Sequence, residues 1–188
     1  MIKPLRDPRF RTWLAIAGTA TIVLVAAYTM VQQSTRLAAD DLPLATAQTV
    51  KHELENGTTP ADVIPAIKTD LKTDSTVFVT VTDAQQHVLA SSATLNGQPS
   101  LPPQGTFDYT SRHDTDHFTW QPQAGVRLAT RILTYKIGST TGFIVTGRSL
   151  SQTESRTDEY GKMALAAWVA VLAWSYVLIL LPRSKKTV

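Results

Sequence analysis

The sequence predicts an α+β fold: an antiparallel sheet of about five strands packed on an N-terminal helix, flanked by two transmembrane helices. Three observations predict it. Two stretches, 12–31 and 163–181, are apolar and hold no charged residue. The segment between them has mixed, globular composition. Within that segment the apolar period changes from helical over 37–54 to β-branched and alternating from residue 76 onward. Each apolar stretch is about 20 residues, which at ~1.5 Å per residue matches a hydrocarbon core of roughly 30 Å.

The organisation follows in order. Residues 1–11 form a basic flank with Lys3, Arg6, Arg9 and Arg11 against Asp7. Residues 12–31 form the first span, with Trp13 and Tyr28 at its two boundaries, where amphipathic rings prefer to lie. Its length and the lack of an A-x-A site directly after it read as an uncleaved signal anchor. Leu37, Leu44, Ala45, Ala47, Val50 and Leu54 recur at helical spacing, and Asn56-Gly57 reads as the C-cap. Pro43 is expected to kink or restart this helix, with Asp40 or Asp41 as an N-cap. Thr59-Pro60 predicts a short helix that Pro65 interrupts, with a second short piece running to Leu71.

Strands follow. Thr76–Thr82 reads T-V-F-V-T-V-T, a run rich in β-branched and aromatic residues. A turn at 83–86 leads to a returning strand at 87–91. Residues 96–105, rich in Gly and Pro, predict a long loop. Three more strands are expected at 117–121, 126–135 and 142–148. Ser151-x-x-Glu154 is a capping-box pattern that starts a helix running into the second span, 163–182. A basic tail, 183–188, ends the sequence with Arg183, Lys185 and Lys186.

Charge sets the orientation and excludes one class of function. Basic flanks at both ends place both termini in the cytoplasm and residues 32–162 outside the plasma membrane. The central segment holds eleven Lys/Arg and fourteen Asp/Glu, so the basic excess behind the net charge of +3 resides in the flanks. A slightly acidic folded segment argues against nucleic-acid binding. The chain has no cysteine, which rules out disulfides, thiolate nucleophiles and cysteine-type zinc sites. No ionisable residue lies inside either span, which argues against an ion channel or a proton-coupled transporter.

The strand motifs V-F-V-T-V-T-D (77–83), V-L-A-S-S (88–92), W-Q-P (120–122), G-V-R (125–127) and G-F-I-V-T-G-R-S-L (142–150) resemble the extracytoplasmic PAS-like, Cache-type sensor domains of bacterial membrane receptors. The resemblance covers about residues 37–159. It also extends to small bacterial membrane proteins of two-span layout. It implies a ligand pocket between the concave sheet face and its covering loop. Receptors of this kind continue past the second span into an output domain. This sequence is expected to lack one, and either to signal through a partner, such as a sensor kinase or another membrane protein, or to have lost its output.

Candidate site residues are few. Arg127, Arg131 and Tyr135 alternate along one strand face, where an Arg beside a Tyr suits a carboxylate. Trp120 is a candidate for lining the same pocket, though a strand Trp is more often core. An exposed face, or an Arg paired with Asp74 or Asp108, is the competing reading of the arginines. His113, Asp114, Asp116 and His117 form the densest metal-capable set, and a solvated hairpin loop is its plainer reading. Ser91, Ser92 and Ser149 lack the context of a nucleophile. The expectation is therefore a non-enzyme with no cofactor. Ala166, Ala170 and Ala173 give the second span a small-residue stripe suited to packing within the chain or across a homodimer. Two functions compete: a sensor-like module that relays ligand or partner binding through its spans, and a structural accessory subunit of a membrane complex with no small ligand.

Overall fold

The first helix begins at Asp7, whose carboxylate accepts the amide of Arg9 at 2.8 Å, with Pro8 at the first helical position. The computed structural model describes residues 7–180, except for the side chain of Arg36. Lys3 and Arg6 of the first basic flank, the last residues of the second span and the tail 183–188 lie outside that range. Helix α1 (Pro8–Glu55) ends in a Schellman motif. Thr58 N–H donates to the Glu53 carbonyl and Gly57 N–H to that of Leu54, each at 3.0 Å, with Gly57 at φ +95°. The expected C-cap is thus present.

Pro43 does not interrupt α1, and neither Asp40 nor Asp41 is an N-cap. Proline removes the amide that would bond the Ala39 carbonyl. Tertiary contacts hold the turn: Ala39, Pro43 and Ala47 are buried, and the Thr146 hydroxyl donates to the Pro43 carbonyl at 2.9 Å. The short helix expected after Pro60 is also absent. Asp62 and Val63 amides return to the Thr59 carbonyl as a single turn, and Pro65 follows before the pattern can propagate.

The five-stranded sheet has the order β3-β2-β7-β6-β5, antiparallel throughout. Its strands are β2 (Phe78–Asp83), β3 (Val88–Ser91), β5 (Thr115–Gln123), β6 (Val126–Ile137) and β7 (Thr140–Ser149). Two short strands, β1 (Thr69–Asp70) and β4 (Ala93–Thr94), pair in parallel beside it. The serines of the V-L-A-S-S run fasten β3 to β2. Ser91 Oγ lies 2.7 Å from the Thr80 hydroxyl, and Ser92 Oγ accepts the Val79 amide at 2.9 Å. Helix α2 (Gln104–His113) occupies sequence expected to be irregular, and it buries Phe107 and Thr110.

Both sheet faces are covered. On one, Ala47, Val50 and Leu54 of α1 pack on Val79, Val81, Leu133, Tyr135 and Ile144. On the other, Phe107 of α2 packs among Leu71, Phe78, Trp120, Leu128, Ile132 and Phe143. Two-sided burial explains why successive residues are buried through the middle of β6 and β7, since an open sheet would alternate. Two glycines make room for aromatic rings across β7. Gly142 is paired with Tyr135 and Gly147 with Phe78, and a Cβ at either would fall within 2.8 Å of the opposing ring or hydroxyl.

Helix α3 (Ser151–Leu180) starts where expected. The Ser149 hydroxyl accepts the Ser151 amide at 3.3 Å, while the Glu154 carboxylate turns to Arg127 rather than back along the helix. The chain divides into two compact units, 35–154 and, of the described residues, 7–34 with 155–180. In the second unit the Trp168 indole donates to the Thr21 hydroxyl at 2.8 Å, and Trp13 packs edge-on against Tyr176. α1 and α3 are both long and apolar enough to cross a membrane.

Candidate functional site

The odd-numbered positions of β6 place Arg127, Arg131 and Tyr135 on the α1-covered face, beside Leu133. Trp120 pairs with Leu128 and so belongs to the opposite face, in the cluster with Phe107 and Ile132. The structure therefore brings the three β6 residues onto one face and separates Trp120 from them.

Each has a definite environment. Tyr135 is 2 % exposed, and its hydroxyl donates to the Thr82 carbonyl at 3.1 Å. Burial and the nearby charge of Asp83 hold this phenol above its ordinary pKa. Arg127 pairs with Glu154 at 2.5 Å, with both side chains about half exposed. Neither Asp74 nor Asp108 takes that role. Arg131 is half-buried, and its Nε–H is buried without a hydrogen-bond partner.

A fourth arginine joins this face. Arg148 on β7 pairs with Ala129 and so lies diagonally between Arg127 and Arg131. It too is half-buried with an unpartnered, buried Nε. Sequence reasoning missed it because strand alternation relates residues only within one strand. The available signal was its parity with Ile144 and Thr146 in a run whose neighbours are apolar. Diagonal neighbours on adjacent strands sit about 7–8 Å apart at the backbone, within reach of two long side chains.

The His/Asp group is dispersed. His113 ends α2 and stacks on Tyr109 with ring centroids 4.0 Å apart. Asp114 adopts φ 64° as the α2 C-cap and accepts the Thr134 hydroxyl at 3.1 Å. Asp116 accepts the amide of His117 at 2.8 Å on the edge strand β5. Among the described residues, no three His, Asp or Glu side chains converge as a metal set. Asp83 instead holds the turn between β2 and β3. Burial raises its pKa, but the amide and ring of His87 bond the carboxylate, and the balance lies below the ordinary value.

No known protein family matches the chain, and no curated protein does.

Proposed function

We propose that this protein is a plasma-membrane, sensor-like module. Its PAS-like extracytoplasmic domain recognises the ectodomain of a partner membrane protein and relays that event through two spans. The observation that carries the reading is the filled sheet face. Where sensor domains of the resembled class keep a ligand pocket, Phe78, Phe107, Trp120 and Phe143 interlock, with Phe107 edge-on to Phe143 at 5.3 Å. A face closed by aromatic packing leaves recognition to the outer surface, and the edge strand β3 exposes Val88 and Leu89 there. Exposed strand edges of this kind accept a partner's backbone.

The same filled face favours a second reading, an accessory subunit that holds a complex together without relaying a signal. A photo-crosslinking residue at Leu89 in intact cells tests partner recognition. A discrete adduct heavier than a dimer of this chain is the expected result, and an adduct-free profile would end the proposal. Relay is tested separately by placing Thr21→Cys and Trp168→Cys in one chain and bridging them with a short bis-maleimide. A relay predicts that bridging changes the partner's output. An accessory subunit predicts that it does not.

A further inference from the structure

We infer that Arg131 and Arg148 form a binding site for a small oxyanion, a phosphate or carboxylate group, on the sheet face that α1 covers. This does not rest on the partner reading above. Register sets the two residues diagonally on β6 and β7: Arg131 faces Thr146, and Arg148 faces Ala129. Two like charges so placed repel each other without a counter-charge between them. Each also buries an Nε–H with no partner, a condition that native structures rarely leave unanswered.

The neighbouring groups do not answer it. Thr146, between the two arginines, commits its hydroxyl to the Pro43 carbonyl. Glu154 is engaged by Arg127, the third guanidinium of the row. Asp40 of α1 is half-buried, yet among the described residues no carboxylate stands within ion-pair distance of Arg131 or Arg148. One oxyanion presents several acceptor lone pairs and a full negative charge, which suits two guanidinium forks carried on diagonal neighbours of one sheet face. Both side chains are only half-buried, so the site is open to a small solute.

The test uses the full chain in nanodiscs of phosphatidylcholine, with inorganic phosphate and then acetate titrated against chloride at constant ionic strength. The arginine Nε–H resonances and the Tm are followed together. The expected result is a saturable rise in Tm and movement of two Nε–H signals. The affinity should fall by about tenfold or more in Arg131→Gln and in Arg148→Gln. Arg112→Gln on α2 serves as the control and should bind as the native chain does. Discs containing phosphatidylglycerol, without added phosphate, distinguish the source: Nε–H movement there assigns the oxyanion to a lipid headgroup. Static Nε–H signals in every condition would overturn the site and leave water as the partner. So would an equal rise in Tm in Arg148→Gln. If either variant fails to fold, the resonances of the native chain decide alone.

Discussion

Tyr135 illustrates how a residue that looks like a ligand contact serves the core. Its ring lies across from Gly142, and its hydroxyl is spent on the Thr82 carbonyl. Tyr135→Phe should cost about 1 kcal/mol, the usual net worth of one internal hydrogen bond, measured by denaturant unfolding. The pH dependence has a definite sign. A phenol whose pKa is raised on folding contributes stability that is complete below the unfolded value of 10.0 and is lost as pH climbs through the folded value. The native protein should therefore weaken more steeply above pH 10 than Tyr135→Phe. Asp83 works in the opposite direction at the acid end. Its carboxylate is depressed below 3.8 in the folded state, so its contribution is present above that value and fades as pH falls through the folded one. Asp83→Asn should flatten the acid limb of the stability profile. The Arg127–Glu154 pair is half exposed, so Glu154→Ala should cost under about 1 kcal/mol and less in high salt.

At the scale of elements, the strands were readable because their chemistry is local. Runs such as 76–82 and 142–148 combine β-branched residues with flanking turns, and the strands of the five-stranded sheet lie within two residues of the expected limits, whereas the short β1 and β4 were not expected. Helix α2 was not readable. Pro102, Pro103 and Gly105 are breakers, and the helix shows only Phe107 and Thr110 to the core. Its existence depends on the sheet it covers, and no local propensity reports that. Pro43 misled for the converse reason: a local breaker is overruled where Thr146 and the surrounding core hold the turn. The site was half legible. Alternation grouped Arg127, Arg131 and Tyr135 correctly, but cross-strand register, which the sequence does not encode visibly, excluded Trp120 and added Arg148. Two substitutions probe these elements. Phe107→Ala should cost about 3–5 kcal/mol, as a deep aromatic deletion does. Gly147→Ala should cost about 1–3 kcal/mol, because the new methyl meets the Ala129 carbonyl at 2.6 Å and the Phe78 ring at 2.8 Å.

For the whole molecule, the decisive property is the pairing of a folded α+β unit with two helices that expose apolar side chains such as Ile22, Met30, Met163 and Leu165. Large exposed apolar surface of this kind marks a contact with protein or with lipid. The proposed topology is directly testable because the chain has no cysteine of its own. Gln85→Cys, in the exposed turn between β2 and β3, should react with a membrane-impermeant maleimide in intact cells. A cysteine added at either terminus should react only after the membrane is opened. The sheet order carries a further consequence, for the time course of folding. The last strand made, β7, is the central one, flanked by β2 and β6. A ribosome that has released β2 and β3 has supplied α1 and only two of the five strands of the sheet. The keystone strand arrives some sixty residues later, so the nascent domain has no route to a complete sheet until nearly all of it has emerged.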